Sequence, residues 1–262
     1  RDFCLSRGLG DVYKRQAENV ILDPTRPYRN AAGGEELRDT LCRESVTYTV
    51  RRNNIEVAAS HRFCNATPVT IAIYYGMQSM FEGETHVLTP GGAYTDWTEV
   101  AKASTFTKQE HPLFRRYVEK NRQGYQSTWL LPDGLGDHAL LDGQDDIFIY
   151  APYGKSYHKL IGNKRIKNGD KTCWRGVYTW FETPIADDAD LLCYEGSAGG
   201  HTAVFIDCKR ACKRTLALPG YLDLRHFGTA EQNGGIRISA AGRNKLKIKA
   251  GAPGSCVLLL RE

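Results

Sequence analysis

Two short segments place a histidine close to a carboxylate, a pairing that general acid–base chemistry often uses. His86 follows Glu84 by two residues, and His138 directly follows Asp137 in a glycine-rich segment. The unperturbed pKa of histidine lies near neutrality, so a positioned imidazole can give or take a proton at physiological pH. We therefore predict these four residues as candidate catalytic groups; for any single histidine a purely structural role is the alternative.

A second group of residues is aromatic, amide-bearing or basic and lies near predicted strand ends. Its members are Tyr75, Gln78, Lys155, His158, Trp174, Arg175 and Trp180. Aromatic rings present flat apolar faces, which suit the C–H faces of a sugar ring, while amide and basic groups suit its hydroxyls. On the predicted strand 173–181, side chains alternate, so Trp174 and Trp180 share one face. The sequence predicts a carbohydrate-binding surface here, with core packing between sheets as the alternative for both tryptophans.

The common catalytic and cofactor-binding signatures are absent from the sequence. It contains no Gly-x-Ser-x-Gly nucleophile motif, no phosphate-binding loop, no dinucleotide-binding glycine pattern and no His-Glu-x-x-His motif. Cys208 and Cys212 depart from the tight spacing of zinc sites and lack a second pair. The acidic segment 142–146 lacks the glycine and distal glutamate of a calcium loop. We therefore expect no metal site and no cofactor.

Charge and hydrophobicity argue against two classes of partner. The formal net charge is +5, and lysine and arginine form no long block. This balance and the lack of a recognition signature favour no nucleic-acid partner. No apolar run approaches the roughly 20 residues that a membrane helix needs, so membrane insertion is not expected. Oligomeric state and location stay open, with a periplasmic or secreted protein as one interpretation.

The first sixteen residues resemble a translated linker that recurs at the ends of reading frames assembled from environmental DNA, as in a bacterial metagenome. We therefore treat residues 1–16 as a non-native tail and residues 17–262 as a single domain whose native N-terminus is expected to be missing. Removing the four basic and two acidic residues of the tail leaves a net charge of +3 and seven cysteines. These cysteines are scattered and odd in number, so we expect mostly free thiols, with one bridge between distant strands left open.

Alternating apolar residues predict strands along most of the chain. Residues 53–63 and 69–81 read as two long strands joined by a polar turn at residues 64–68, and the whole chain reads as about a dozen strands. Their regular spacing with turn residues between them predicts an all-β fold, a large antiparallel β-sandwich. One short helix is expected at residues 112–123, where proline starts and glycine ends an apolar helical pattern. Residues 17–34 read as irregular.

The order of a strand, an Asn-x-Thr-Pro turn, a long strand and an aromatic-rich exit in residues 45–81 resembles the galactose mutarotase-like superfamily. The resemblance implies a supersandwich that binds carbohydrate across a concave sheet. It also implies an Asn-His pair before an aromatic residue, but this sequence has Tyr74-Tyr75-Gly76-Met77-Gln78 at that place, without histidine. The superfamily's C-terminal catalytic glutamate has no counterpart that can be identified.

Three functions are compatible with these features. The first is a carbohydrate-processing enzyme, which requires an acid–base pair to converge with Trp174, Arg175 and Tyr75. The second is a non-catalytic carbohydrate-binding or accessory module, which requires an aromatic platform alone. The third is a protein-interaction β-sandwich, in which the tryptophans are sealed between sheets. A carbohydrate-binding or carbohydrate-processing β-sandwich is the preferred prediction, because aromatic and amide residues share the strand ends.

Overall fold

The computed structural model describes residues 6–7, 12–80, 83–132, 145–151 and 154–260, and it confirms the all-β fold class. The first twelve strands are β1 (Ser6–Arg7), β2 (Val12–Leu22), β3 (Pro27–Arg29), β4 (Glu35–Leu37), β5 (Thr40–Arg51), β6 (Asn54–Phe63), β7 (Val69–Met80), β8 (His86–Leu88), β9 (Thr98–Glu99), β10 (Phe106–Thr107), β11 (Arg116–Asn121) and β12 (Gly124–Leu130). The others are β13 (Asp146–Ala151), β14 (Lys155–Ile166), β15 (Lys171–Phe181), β16 (Ala186–Asp187), β17 (Leu191–Ala198), β18 (His201–Cys208), β19 (Cys212–Ala217), β20 (Phe227–Gln232), β21 (Arg237–Gly242), β22 (Lys245–Ala250) and β23 (Gly254–Leu260). Val100–Lys102 form one turn of 3-10 helix. Within the described ranges, no helix has the length and hydrophobicity needed to cross a bilayer.

The strands form five antiparallel sheets. The largest has nine strands in the order β1-β2-β5-β6-β15-β12-β11-β8-β9. A four-stranded sheet has the order β10-β13-β14-β7, a five-stranded sheet β16-β17-β18-β23-β20, and a three-stranded sheet β19-β22-β21. Strands β3 and β4 form a separate hairpin. The nine-stranded sheet lies between two others, as the packing of its two faces shows.

Two gaps flank the nine-stranded sheet. In the outer gap, between the four- and nine-stranded sheets, Phe148 packs against Tyr117 at a ring-centroid distance of 5.4 Å. In the middle gap, between the nine- and five-stranded sheets, Val177 and Phe205 belong to one buried cluster. Strand β15 therefore contributes to both gaps. Trp174 lies in a cluster of the outer gap, whereas Val177, on the opposite face of the strand, lies in the middle gap.

A third gap, the C-terminal gap, separates the five-stranded sheet from the three-stranded sheet. Val204 of β18 and Leu246 of β22 are both fully buried in its core. Side chains of β22 alternate between buried and exposed, so one face of the three-stranded sheet covers this core and the other faces solvent. The sandwich is thus a stack of four sheets with three cores.

The prediction of a short helix at residues 112–123 is wrong, because the central half of this segment, Arg116–Asn121, is strand β11 and the rest is turn or irregular. The apolar spacing fits a helix, but Tyr117 and Val118 are both fully buried and belong to the cores of opposite gaps. The side chains of these adjacent residues point in opposite directions, which requires the period of two that a strand provides. Gly124, expected as the helix terminator, closes the β11–β12 hairpin with a φ of +137°.

The N-terminal segment is more regular than expected. Residues 17–34 include most of β2 and all of β3, and β2 pairs with β5 from Val12 to Leu22. The pairing continues across residues 16 and 17, with one irregularity further along, between Ile21 and Leu22. The expected end of the non-native tail at residue 16 does not coincide with a break in the sheet, and the tail assignment stays a prediction.

The two long strands around the 64–68 turn form as expected, but they do not pair with each other. Strand β6 lies between β5 and β15 in the nine-stranded sheet, whereas β7 pairs with β14 in the four-stranded sheet. The turn therefore carries the chain from one layer of the sandwich to the next. The alternation of side chains within each strand is a local property, and both strands keep it although they lie in different sheets. It does not indicate which other strand becomes the hydrogen-bonded partner.

A buried ion pair connects two layers across the middle gap. Arg116 of β11 donates a hydrogen bond to Asp207 of β18, and both side chains are almost fully buried. The guanidinium also lies over the ring of Phe205, with 4.9 Å between its Cζ and the ring centroid. Removing either charge would leave the other unpaired in a low-dielectric core, so the pair ties the two sheets together in one alignment.

Seven cysteines in the described ranges are free thiols, as the sequence analysis expects for most of them. Cys42, Cys193, Cys208 and Cys256 are buried, and burial raises their pKa values. Thiols of this kind act as small apolar side chains.

Candidate functional site

An open groove of about 790 Å³ lies where the β5–β6 turn, the β11–β12 turn and the end of β15 come together. Its lining residues are Asn53, Met80, Gln123, Gly124, Tyr125, Gln126, Trp180, Phe181 and Glu182. Strands of an antiparallel sheet alternate in direction, so turns distant in sequence meet at one end of the sheet. We call this the Trp180 groove.

The Trp180 ring is the large aromatic surface of this groove. It is 38% exposed and stacks on Tyr178, with ring centroids 5.8 Å apart and planes inclined by 19°. The Trp180 backbone N–H donates to the Asn53 carbonyl at 2.9 Å, and the Asn53 side-chain amide donates back to the Trp180 carbonyl. The ring is therefore held in place by the β5–β6 turn on one side and by Tyr178 beneath it.

Amide side chains surround the ring. Gln126 lies directly opposite Trp180 in the β12–β15 register and therefore points to the same side of the sheet. Gln123 and Asn53 reach the groove from the two turns, and the exposed Glu182 follows the end of β15. Amides both donate and accept hydrogen bonds, and the carboxylate accepts them, so the lining matches a ligand with several hydroxyl groups.

The β11–β12 turn reaches the groove because residue 124 is glycine. Its φ of +137° is one that side-chain-bearing residues rarely adopt, and a Cβ there would lie 2.9 Å from the Phe181 carbonyl oxygen. The absence of a side chain lets the turn approach the end of β15 and brings Gln123 beside Trp180. The segment Gln123-Gly124-Tyr125-Gln126 can be recognised as part of a turn region only once the β11–β12 hairpin is known.

Of the two candidate catalytic residues that the structure describes, Glu84 and His86, only Glu84 lies beside the Trp180 groove. It lines an adjoining cavity of about 220 Å³ that shares Gln123 with the groove. His86 lies on β8, where it pairs in register with Lys120 of β11 and Glu99 of β9. It does not line either cavity. Asp137 and His138 lie outside the described residues. In the described part of the chain, no histidine–carboxylate pair lines the groove with Trp180.

Four of the candidate binding residues lie on β7 or β14. Tyr75 packs against Tyr157, with ring centroids 4.8 Å apart, and Gln78 is exposed. Lys155 lies opposite Met80 in the β7–β14 register, one strand away from the groove lining. His158, by contrast, belongs to the core of the outer gap, so the structure does not bring it to the groove.

His158 is 2% exposed, and its ring lies 5.0 Å from Phe114 and 5.1 Å from Tyr117, measured between ring centroids. Burial lowers its pKa to about 3, and the positive charge of Arg115 acts in the same direction. The ring is therefore neutral at physiological pH. A buried neutral ring stacked among aromatic side chains serves packing and cannot contact a ligand in solution.

The other two strand β15 candidates are separated from Trp180. Trp174 is half-buried in the outer gap, where its Nε1 donates to the Tyr74 hydroxyl at 2.9 Å. Six residues of extended strand place it about 20 Å from Trp180. Arg175 points to the opposite face, pairs with Glu56 at 2.7 Å, and lines a separate cavity of about 310 Å³. The structure therefore places Trp174, Arg175 and Trp180 at three different locations.

Comparisons with known proteins add little to this geometry. No family model matches the chain, and no curated protein matches it. Among solved structures, the chain is similar to a mutant of the chondroitin AC lyase from Streptomyces coelicolor A3, with 10% sequence identity and a TM-score of 0.18. The match covers 95% of this chain and 35% of the lyase chain, so this protein spans about a third of that enzyme's length.

Proposed function

We propose that the protein is a carbohydrate-binding β-sandwich and that the Trp180 groove holds a neutral or weakly charged oligosaccharide. The observation that carries the proposal is the exposed ring of Trp180 in an open groove whose other polar lining groups are amides and one carboxylate. The proposal includes a fold-level relationship to the galactose mutarotase-like superfamily, which the resemblance of residues 45–81 supports.

The groove chemistry fits a sugar better than a purely apolar ligand. The indole face covers the C–H face of a pyranose, and this contact removes apolar area from water. Gln123 and Gln126 offer hydrogen bonds to hydroxyl groups at the ring edge without requiring a charge on the ligand, whereas the Asn53 amide is engaged with the Trp180 carbonyl and with Asn54. A volume of about 790 Å³ accommodates more than one sugar unit, and its openness suits a chain that extends beyond the groove.

We propose binding rather than catalysis at this groove. Proton transfer requires an acid and a base within hydrogen-bond reach of the reacting bond. Glu84 and Glu182 are exposed carboxylates at the rim, and among the described residues no buried acid–base pair converges on Trp180. The missing histidine in the Tyr74–Gln78 segment likewise gives no support to mutarotase-type ring opening.

A glycan array followed by calorimetry with the best ligand tests this function. Trp180→Ala is expected to weaken binding about tenfold or more, because it removes the stacking surface, and Gln126→Ala to weaken it less. Tyr221→Ala is the matched control, since Tyr221 is an aromatic residue with 71% exposure that does not line the groove.

The control is expected to retain full affinity. Equal losses for Trp180→Ala and Tyr221→Ala, or an array on which the folded protein binds no neutral glycan, would contradict the proposal. Trp180→Phe separates stacking from folding effects, because it keeps a ring at the same place and should retain part of the affinity.

A further inference from the structure

The distribution of charge along the chain is strongly uneven. Residues 209–249 contain ten lysine or arginine residues and two acidic residues, a net charge of +8. The whole chain has a net charge of +5, so the remainder has a net charge of −3. The small overall charge therefore conceals a cationic segment, which forms the three-stranded sheet and the segments that flank it.

Five cations of this segment lie on one exposed sheet face. We call it the cationic face, and its members are Lys213, Arg237, Lys245, Lys247 and Lys249. Leu246 and Ile248 of β22 point into the C-terminal gap and are almost fully buried. The intervening lysines must therefore point outward, because side chains alternate along a strand.

The strand register gathers these cations into rows. Lys249 lies between Lys213 and Arg237, its partners on the two neighbouring strands. Neighbouring strands are about 4.8 Å apart and alternate residues of one strand about 6.8 Å apart, so these charges lie on a small flat area. Like charges directly opposite each other destabilise a sheet. The arrangement opposes folding stability and therefore calls for another explanation.

Acidic residues compensate other cations of the same region but not these. Arg210 and Arg214 pair with Asp190, and Arg225 and Arg243 pair with Asp223. No member of the cationic face forms an ion pair with a carboxylate in the described part of the chain. Lysine on edge strands protects against aggregation, but three of the five lie on β22, the central strand of its sheet.

We infer that the cationic face is a second binding surface and that its ligand is a linear polyanionic glycan bearing sulfate or carboxylate groups. A shallow depression of about 460 Å³ follows this face and includes Thr215 and Ser239, whose hydroxyls flank Lys247 in the register. One row of cations runs along β22 through Lys245, Lys247 and Lys249, and a second runs across the strands from Lys213 through Lys249 to Arg237. Such rows match an extended chain with repeated anions, and the hydroxyls match its sugar groups.

Two other polyanions fit less well. Single-stranded nucleic acid is usually bound with aromatic side chains on which bases stack, and the outward positions of β19, β21 and β22 carry none. An anionic membrane surface is usually bound with apolar side chains that enter the interface, and the uncharged outward residues here are small or hydroxyl-bearing. The glycan is therefore the ligand that the face favours.

Binding of a size-defined heparin oligosaccharide, measured by calorimetry at several salt concentrations, tests this inference. The triple variant Lys213→Ser, Lys247→Ser, Lys249→Ser is expected to bind about tenfold or more weakly and with a shallower salt dependence. The triple variant Arg165→Ser, Lys167→Ser, Lys171→Ser is the matched control. It removes the same charge at positions remote in the fold and should change affinity by less than about twofold.

A variant with Lys213→Arg, Lys247→Arg and Lys249→Arg keeps the charge and should retain binding, which guards against a folding artefact. Equal weakening by both serine triples would overturn the inference in favour of unspecific attraction by net charge. Equal or tighter binding of a single-stranded DNA oligomer of matched charge, or of phosphatidylserine vesicles, would overturn the choice of ligand. The surface shares no residue with the Trp180 groove, so Trp180→Ala should leave heparin binding unchanged, whatever the outcome for the proposed function.

Discussion

The outer gap and the C-terminal gap both lie between two antiparallel sheets, yet different chemistry fills them. In the outer gap, the buried Glu119 accepts hydrogen bonds from Ser79 and Ser156 of the facing sheet, and His158 stacks on Phe114. The fully or almost fully buried side chains of the C-terminal gap are apolar: Leu191, Cys193, Val204, Ile206, Cys208, Leu218, Leu222, Leu224, Ile236, Leu246, Ile248, Ala250, Cys256, Leu258 and Leu260.

The difference shows two ways to align a pair of sheets. Buried polar groups require partners at fixed positions, so the outer gap is aligned by directional hydrogen bonds between its sheets. The C-terminal gap is aligned by shape and apolar area alone.

A second consequence concerns pH: burial raises the pKa of Glu119 and lowers that of His158, whereas the C-terminal gap contains no group that titrates near neutrality.

The largest effect is expected from a cavity in the C-terminal gap. Leu246 is fully buried, and Leu246→Ala should lower the free energy of unfolding by about 2–5 kcal/mol. The loss should be the same at pH 5 and pH 7, because no ionisable group is involved. Urea unfolding at both pH values measures it, with the outward-facing Lys247→Ala as a control that should cost less than about 0.5 kcal/mol. A strongly pH-dependent loss would show that the two gaps are not separate.

An intermediate effect is expected from His158 in the outer gap. Its pKa in the folded protein is about 3, below the unfolded value of about 6.5, so between these values only the unfolded chain binds the proton. Its contribution to stability is therefore lost as pH falls below the unfolded value, by about 2 kcal/mol between pH 7 and pH 5. His158→Phe keeps the stacking, so its stability relative to wild type should rise by that amount toward pH 5.

Urea unfolding across this pH range measures the difference, and the exposed Leu113→Phe, which removes no ionisable group, is the control that should not change the pH dependence. Parallel stability curves for wild type and His158→Phe would contradict the assignment of a buried neutral imidazole. Glu119 contributes in the opposite direction, since its raised pKa gives stability that is lost as pH rises, and comparing each variant with wild type keeps the two apart.

The smallest effect is expected from one hydrogen bond that connects the sheets of the outer gap. The Tyr117 hydroxyl donates to the Met77 carbonyl at 2.6 Å. Tyr117→Phe should lower the free energy of unfolding by about 1 kcal/mol, because the Met77 carbonyl loses a buried hydrogen-bond donor. Thermal or urea unfolding measures it against Tyr48→Phe at a partly exposed position. No loss would mean that this hydrogen bond does not help to align the two sheets.

The sequence predicted part of the candidate site. The sequence indicated Trp180 as an aromatic binding residue and Glu84 as an acidic candidate. Trp180 lines the groove, and Glu84 lines the adjoining cavity. The amides of Asn53, Gln123 and Gln126 were not predicted, because they come from turns that only the strand order brings together. Local alternation assigns a side chain to a face, but it does not say which turn lies next to it.

The same limit explains the unpredicted cationic face. The alternation of Lys245, Lys247 and Lys249 along β22 is visible in the sequence, but the position of Lys213 and Arg237 beside Lys249 depends on the register of two other strands. An averaged net charge cannot report such an arrangement, since acidic residues elsewhere in the chain offset it.

By itself, the sequence determined the all-β class, because the period of two is a local property of each strand. Only the tertiary structure decided that residues 112–123 form a strand, β11, instead of a helix, that β6 and β7 belong to different sheets, and that Trp174 and Trp180 lie in different surroundings. The physical reason is that pairing and stacking energies arise between residues far apart in sequence, and these contacts override weak local preferences.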